Sequence, residues 1–228
     1  MLYSSITKKV IIAIAGLFLA LFLCVHLCIN LLLLKNDGGQ AYRIASEFMS
    51  NNLIIKIFEI ILFGGLFLHI IFGFIVSLIN FISRPIRYVK RNRSQTSFMS
   101  KYMVHTGIII LIFLFIHFIN FFFVKVGIVN PPPGITNRHD FYNMAIILFT
   151  NKWYFAIYIS FLIFLGFHLN HSIQSAFQTL GLNHTKYNNL IKIISTIYSI
   201  IISGGFISIP VYFLFFYIVI DYVLSFPQ

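Results

Sequence analysis

The chain has 228 residues, of which 59% are hydrophobic, 18% aromatic and 9% charged, and its mean hydropathy is +0.93. This composition excludes an ordinary soluble domain and indicates a polytopic membrane protein. A formal net charge of +11 could indicate nucleic-acid binding, but the basic residues lie in short segments between apolar stretches, which is typical of membrane topology.

Five apolar stretches are long enough to cross ~30 Å of bilayer hydrocarbon as helices, which takes about 20 residues each. They cover residues 10–34, 53–82, 102–124, 153–181 and 190–219. The first is too long for a signal peptide and has no small-residue cleavage site, so we expect a retained helix. No long polar block is left over, and we therefore predict a single all-α transmembrane domain over residues 1–228.

The charged residues divide between the two sets of predicted helix ends. One set has ten cations and no nearby acid: Lys8, Lys9, Arg84, Arg87, Lys90, Arg91, Arg93, Lys101, Lys186 and Lys192. The other set mixes cations with Asp37, Glu47, Glu59 and Asp140. Because cytoplasmic loops carry an excess of Lys and Arg, we expect the N-terminus in the cytoplasm and the C-terminus outside.

Two loops are expected on the outer side. The loop after the first span contains an Asp-Gly-Gly turn in a polar run, which predicts a short surface segment with one turn of interfacial helix. The loop after the third span contains three consecutive prolines, which cannot continue a helix and predict a rigid connection.

Each of the first four predicted spans carries one histidine well inside its apolar stretch: His26, His69, His117 and His168. An ionisable side chain at such a depth is costly and marks a functional site by default. A single buried histidine is more often a structural hydrogen-bonding group, but that explanation is weaker for four histidines on four successive helices.

The depths of these histidines sort them into pairs. Each depth is measured from the basic residue at the outer end of the same helix, at ~1.5 Å per residue. His26 and His117 lie nine and eight residues in, or ~14 and ~12 Å. His69 and His168 lie thirteen and sixteen residues in, or ~20 and ~24 Å. The sequence therefore predicts two tiers, each with two histidines from different helices.

Two imidazoles from different helices suit the axial positions of a haem, because the porphyrin supplies the other four ligands. A zinc or di-iron site would need acids or thiols at matching depth, and Glu59 is the only acid in the apolar part of the first four spans. Cys24 and Cys28 lack the CxxCH spacing of c-type haem attachment, and we expect both to be buried thiols. The pattern thus predicts two b-type haems inside a bundle of the first four helices.

The remaining intramembrane polar residues are weaker candidates. His105 lies near the inner surface, where it could contact a haem propionate or the interface. His171 lies one turn below His168 and could replace it as a ligand. Asn170, His171 and Gln174 together are more typical of a polar patch around propionates or a quinone.

Four segments carry a resemblance to a known family. They read VHLCINLLLL followed by DGGQAY around His26, EIILFGGLFLHIIFG around His69, TGIIILIFLFIH ending at His117, and GFHLNHSIQSAFQTLG beginning near His168. Together they resemble the cytochrome b subunit of succinate dehydrogenases and fumarate reductases, in its single-chain, five-helix, di-haem form. The Thr-Gly step before His117 and the glycine thirteen residues after His168 match the family spacing.

The resemblance covers nearly the whole chain and implies specific ligands and partners. It implies His26 with His117 for an outer haem and His69 with His168 for an inner haem. It also implies a membrane anchor, in a bacterial cytoplasmic membrane, for an FAD flavoprotein and an iron-sulfur subunit of the tricarboxylic acid cycle and respiratory chain. Electrons would pass to or from membrane quinone, expected to be menaquinone, and dicarboxylate chemistry would belong to the other subunits. The direction of electron flow and a dimer of such heterotrimers stay open.

Candidate quinone residues near the outer haem are Asn30, Glu59 and Asn120. Glu59 could exchange the quinol proton, or it could be a plain interfacial anchor. The basic loop suits topology and anionic lipid contact, and it also suits docking of the soluble subunits. The docking candidates are Lys8, Lys9, Arg84, Arg87, Lys90, Arg91 and Arg93.

Two other functions stay open at this stage. One is the di-haem cytochrome b subunit of a hydrogenase or formate dehydrogenase, which also uses intramembrane histidines. The other is a proton-coupled transporter in which the histidines relay protons, although the sequence has no inverted repeat and no pair of broken helices.

Overall fold

The computed structural model describes residues 5–83 and 102–217, and over these residues the chain is helical with no strand. Helix α1 covers Ser5–Asn30 and ends in a 3-10 turn, Leu31–Leu34; α2 covers Gln40–Asn51; α3 covers Leu53–Ile82. Helix α4 covers Met103–His117 and continues through a π-helical turn, Phe118–Phe122, into a last turn, Phe123–Lys125. Helices α5, α6 and α7 cover Phe141–Thr150, Lys152–Thr179 and Thr185–Tyr212, and α7 continues as a second π-helical turn, Phe213–Tyr217.

Five of these helices, with their extensions, are long and apolar enough to cross a membrane: α1, α3, α4, α6 and α7. This confirms the predicted all-helical architecture with five potential spans. The fifth begins at Thr185, five residues before the predicted position, because the His184 side chain accepts a hydrogen bond from the Lys186 amide and caps the helix there.

The two predicted outer loops both hold more helix than expected. The first forms three turns, α2, instead of one. Its start is held by the carboxylate of Asp37, which accepts hydrogen bonds from the backbone amides of Gly39 at 3.0 Å and Ala41 at 3.1 Å. The second loop stays irregular through its prolines and then forms α5, whose first turn is capped by Asp140.

The Asp37 carboxyl is solvated at one end of α2. Partial desolvation raises its pKa, but the hydrogen bonds from the Ala41 and Gly39 amides and the neighbouring Lys35 ammonium outweigh that effect and hold the pKa below the ordinary 3.8. The ionised carboxylate is therefore the form that stabilises the start of α2.

Helix packing places α1 and α6 at the centre of the bundle. Helix α1 packs along α3, α6 and α7; α6 packs along α7 and α4. Small residues permit the close approaches. A Cβ on Gly205 of α7 would lie 2.8 Å from the Leu27 side chain of α1, and one on Gly166 of α6 would lie 3.1 Å from Ser203 of α7. Ser203 also donates a hydrogen bond to the Leu162 carbonyl oxygen, so this contact satisfies a buried hydroxyl.

We name the two ends of the bundle by what they carry. The loop end holds α2, α5 and the residues around them, and the N-terminal end holds the start of α1. At the loop end, Arg43 donates to the Gly38 carbonyl oxygen and to Asp140, and its guanidinium lies 4.9 Å from the centre of the Tyr142 ring. Tyr42 of α2 is buried in the same cluster, and burial raises the pKa of its phenol to about 12. These contacts fix α2 and α5 against the bundle.

The two cysteines differ from the prediction that both are buried. Cys24 is partly buried and its thiol lies 3.8 Å from the Tyr198 hydroxyl, whereas Cys28 is exposed. Side chains four residues apart do not point in the same direction, because each helical residue turns by about 100°. Cys28 therefore lies on a face of α1 that its neighbours leave uncovered.

Candidate cofactor site

The four histidines of the predicted site come from four different spanning helices: His26 from α1, His69 from α3, His117 from α4 and His168 from α6. Each ring is partly buried. The His26 and His117 rings face each other with 5.9 Å between their centroids and nearly perpendicular planes, at 86°. We call these two residues the loop-end pair.

His69 and His168 form a second pair, which we call the N-terminal pair. Their rings are close enough to interact electrostatically. Each ring is oriented by an oxygen atom on a neighbouring helix. His69 Nδ1 lies 3.2 Å from the carbonyl oxygen of Ile12 on α1, and His168 Nδ1 lies 3.2 Å from Oγ1 of Thr106 on α4.

Two glycines make room for the N-terminal pair. A Cβ on Gly16 of α1 would lie 3.0 Å from Cε1 of His69, which is closer than side chains normally approach. A Cβ on Gly107 of α4 would lie 3.7 Å from Cε1 of His168, an ordinary contact distance. A side chain is therefore disfavoured at Gly16, whereas the space at Gly107 would accept a Cβ.

These glycines also give the separation of the two pairs along the bundle. Gly16 contacts His69 and is ten residues from His26 on α1; Gly107 contacts His168 and is ten residues from His117 on α4. At 1.5 Å per residue, both helices give a separation of about 15 Å between the levels of the two pairs. Two independent helices thus place the histidines in two layers.

Hydrogen bonding fixes the tautomer of His69 and is compatible with the same tautomer in His168. A carbonyl oxygen only accepts, so His69 Nδ1 must carry the proton that it donates to Ile12. When the Thr106 hydroxyl donates to the Met103 carbonyl oxygen, at 2.9 Å, its lone pairs face His168 and Nδ1 of that ring is also the donor. In both rings Nε2 is then unprotonated, which is the form that can bind a metal.

The loop-end pair lies in an aromatic setting. The Phe22 ring stacks on His26, with centroids 5.2 Å apart and planes at 19°. Phe206 of α7 contacts the same imidazole at 5.5 Å, and Phe121 contacts His117 at 5.2 Å. These rings surround both imidazoles with apolar groups.

The Nδ1 atoms of the loop-end pair differ from those of the N-terminal pair in their hydrogen-bond partners. His117 Nδ1 is buried and has no hydrogen-bond partner among the described residues. The Asn30 amide nitrogen donates to the His26 carbonyl oxygen at 2.7 Å and lies 3.3 Å from His26 Nδ1. Metal binding through Nε2 of His26 would need the Asn30 amide to rotate, so that its oxygen accepts from Nδ1.

The donor set can be compared with what a haem requires. Two imidazoles that bind one metal ion from opposite sides, at ~2 Å from nitrogen to metal, have ring centroids about 6 Å apart. The loop-end pair, at 5.9 Å, fits this separation. In the N-terminal pair, the hydrogen bond from His69 Nδ1 to Ile12 leaves Nε2 of His69 unprotonated, as metal binding requires. Within residues 5–83 and 102–217, no group of three or more His, Cys, Asp or Glu side chains that could hold a metal ion comes together.

The candidate quinone residues have partners inside the protein. Asn120 donates to the hydroxyl oxygen of buried Tyr158 at 2.9 Å, and Asn30 bonds within its own helix. Glu59 pairs with Lys125 at 3.2 Å, with about a third of each side chain exposed: 30% for Glu59 and 26% for Lys125. The structure thus ties α3 to α4 through Glu59, and a role in quinone binding stays a prediction for all three.

The polar patch on α6 is built partly as expected. Gln174 donates to the side-chain oxygen of Asn170 at 2.7 Å, and Thr196 of α7 lies 3.3 Å from the same oxygen. His171 is partly buried beside this patch. His105 is exposed and its ring contacts Tyr102. Neither His105 nor His171 is placed opposite another histidine in the way that His117 faces His26.

The predicted docking residues are described only in part. Lys9 is exposed, but Lys8 is buried, with 8% of its surface accessible. Lys8 is therefore not available as a surface contact, because its side chain is covered at the N-terminal end of α1. Arg84, Arg87, Lys90, Arg91 and Arg93 lie outside the described residues.

Sequence reasoning missed the residues that support the histidines. Thr106 and Gly107 entered only as a spacing, and Gly16 of α1 was not singled out. The available signal was the position of Thr106 and Gly107 on the span that carries His117 but at the depth of His168. On α3, a Cβ on Gly65 would lie 3.4 Å from the Phe18 ring of α1, whereas a Cβ on Gly73 would have nothing within 4 Å.

Comparisons of the chain with protein-family models, with curated proteins and with solved structures find no match. The fold and the site define a class: a helical protein with five helices that could span a membrane, consistent with a multi-pass membrane protein, and with two layers of paired histidines between those helices.

Proposed function

We propose that the chain is the membrane-anchor, di-haem cytochrome b subunit of a succinate:quinone oxidoreductase. The observation that carries the proposal is the meeting of four histidines, one from each of four spanning helices, in two pairs about 15 Å apart. The sequence resemblance described above supplies the choice of family.

In this proposal His26 and His117 hold one b-type haem, and His69 and His168 hold the other. Bound haem supplies reversible one-electron iron chemistry. The chain itself supplies the ligands, their orientation and a dry environment. The Ile12 carbonyl oxygen and the Thr106 hydroxyl oxygen hold protons on Nδ1 of His69 and His168 and so leave Nε2 of both rings free. In the loop-end pair, the phenylalanines around His26 and His117 exclude water.

The orientation follows the positive-inside rule, with the N-terminal end of the bundle in the cytoplasm of a bacterial cell. Lys9 and the basic segment 84–101 would then face an iron-sulfur subunit and an FAD flavoprotein, and they would also contact anionic lipid. Quinone, expected to be menaquinone, would bind near the loop-end pair, where Asn30, Glu59 and Asn120 lie.

The test is a dithionite-reduced minus oxidised spectrum of the purified protein, with haem quantified per chain, repeated on His-to-Ala variants at positions 26, 69, 117 and 168. We expect two low-spin b-type haems per chain in the unsubstituted protein. Variants at 26 and 117 should lose one haem, and variants at 69 and 168 the other. His105→Ala and His171→Ala are matched controls that should retain both.

Two results would overturn the proposal. Well-folded protein without haem would refute electron transfer and favour histidines that relay protons or serve structure. Haem that native membranes reduce with hydrogen or formate, and not with succinate, would place the chain with a hydrogenase or formate dehydrogenase. Reduction by succinate, with co-purification of an FAD-containing and an iron-sulfur protein, supports the proposed partners.

A further inference from the structure

We infer that Thr106 is the positioning residue that makes His168, and not His171, the metal ligand on α6. The inference rests on the proposed function, since it concerns a ligand of the haem assigned to the N-terminal pair. It deepens that proposal by assigning a role to a residue on a helix that contributes no ligand to that haem.

Thr106 lies within hydrogen-bond distance of His168 on one side and of its own backbone on the other. It is in the first turn of α4, where its hydroxyl donates to the carbonyl oxygen of Met103 three residues earlier, at 2.9 Å. A hydroxyl has one proton and two acceptor lone pairs. When that proton goes to Met103, Oγ1 accepts from His168 Nδ1, 3.2 Å away.

This bond decides which nitrogen of His168 is free. A neutral imidazole carries one proton, and the atom that bears it is set by the hydrogen bond that the ring makes. With the proton held on Nδ1, the lone pair of Nε2 is free. Without the acceptor, a buried Nδ1–H would be unsatisfied, and the ring would gain by moving its proton to Nε2, where it blocks binding to a metal.

The same geometry separates His168 from its neighbour. Among the described residues, His171 has no hydrogen bond that fixes its tautomer, and it lies between Asn170 and Gln174 of the polar patch. Gly107, next to Thr106, allows the backbone of α4 to approach the His168 ring at 3.7 Å from its Cβ position. The Thr-Gly step therefore provides the acceptor and an ordinary packing contact for one histidine.

The experiment compares Thr106→Val, which removes the hydroxyl with little change in volume, with Thr106→Ser, which restores it. Thr179→Val is the matched control, because Thr179 is also a helical threonine whose hydroxyl donates to its own backbone, at Ser175. Haem content per chain, the midpoint potential of each haem and the electron paramagnetic resonance spectrum of the oxidised protein are measured in all three. The tautomer of His168 is measured separately by ¹⁵N NMR of haem-free, ¹⁵N-histidine-labelled full-length chain.

We expect Thr106→Val to retain haem at the N-terminal pair about 10–100-fold less tightly, with the other haem unchanged. Any haem retained there should have a higher midpoint potential, since a ligand that loses its Nδ1 hydrogen bond donates less electron density to the iron. Thr106→Ser should restore both properties, and Thr179→Val should match the unsubstituted protein. In haem-free chain, His168 should be the Nδ1–H tautomer, and Thr106→Val should shift it toward Nε2–H.

Unchanged haem retention and potential in Thr106→Val would overturn the inference while leaving two haems and the proposed function intact. A loss that Thr106→Ser does not restore would also overturn it, since the role would then be steric. If the unsubstituted protein binds no haem, the proposed function fails. In that case the NMR result in the haem-free chain still decides whether Thr106 fixes the tautomer of His168.

Discussion

Substitution of Gly16 by alanine should selectively weaken haem binding at the N-terminal pair. The added Cβ would lie 3.0 Å from Cε1 and 3.3 Å from Nδ1 of His69, whereas carbon atoms normally approach to about 3.5–4.0 Å. The His69 ring must therefore move by a few tenths of an ångström, or α1 and α3 must separate by that amount. Metal–ligand distances tolerate only ~0.2 Å, so the ring cannot keep both its hydrogen bond to Ile12 and its position toward His168.

The size of the effect follows from the orienting bond that is lost. Removing such a partner of a ligand weakens metal binding by roughly 10–100-fold, which corresponds to about 1.4–2.7 kcal/mol. Alanine also improves helix propensity by up to about 1 kcal/mol relative to glycine, so the helix itself should not be lost. The assay is haem content per chain with the reduced minus oxidised spectrum, which resolves the two haems when their potentials differ.

Gly64→Ala is the control for this substitution. Gly64 lies on α3, on an exposed face, and a Cβ there would have nothing within 4 Å. If Gly16→Ala retains both haems as well as Gly64→Ala does, His69 is not held against α1 in the way that the structure indicates. Loss of the haem held by His26 and His117 in Gly16→Ala would equally contradict the reasoning, since Gly16 does not contact that pair.

Three further predictions concern the loop half of the bundle. The pKa of Asp37 is below 3.8 in the folded chain, so its contribution to the stability of α2 should be complete above that value and should disappear as the pH falls through the folded-state pKa. The protection of the α2 amides against hydrogen exchange should fall over the same pH range. In Asp37→Ala this acid-dependent loss of protection should be absent. Glu59→Gln removes a partly exposed ion pair with Lys125, which is worth at most about 1 kcal/mol, so both haems should remain and the unfolding midpoint should fall only slightly; loss of a haem would show that Glu59 does more than join two helices. Tyr158→Phe leaves the Asn120 amide without its acceptor and should cost about 1–3 kcal/mol in unfolding free energy; unchanged stability would mean that Asn120 has another partner.

The architecture could be predicted from sequence because the bilayer imposes a simple rule. Apolar length alone identified the five helices, and only their ends shifted, as at Thr185, where a side-chain cap sets the start. Helix α2 could not be predicted at its full length, because its sequence is polar and its stability comes from Asp37 and from packing against α5. The helix propensity of a short segment does not account for such tertiary contacts.

The site was predictable in its histidines and not in their supports. Depth along straight helices places His26 level with His117, because rise per residue is constant. Which oxygen faces each Nδ1 depends on how the helices pack. A backbone carbonyl acceptor such as that of Ile12 cannot be recognised from the residue type, because every residue has a carbonyl group. The burial of Lys8 was missed for the same reason. Its charge predicts an exposed side chain, but the packing of the helices determines the exposure.

The pairing of ligands across the chain also sets the order in which the sites could assemble during synthesis. The loop-end pair is complete once His117 has been made, while the N-terminal pair waits for His168, which is 51 residues further along the chain. At about 5–20 residues per second, translation takes roughly 3–10 s to cover that interval. One pair of histidines can therefore come together before the helix that completes the second pair has emerged from the ribosome, and a chain stalled between the two would carry a single complete pair of histidines.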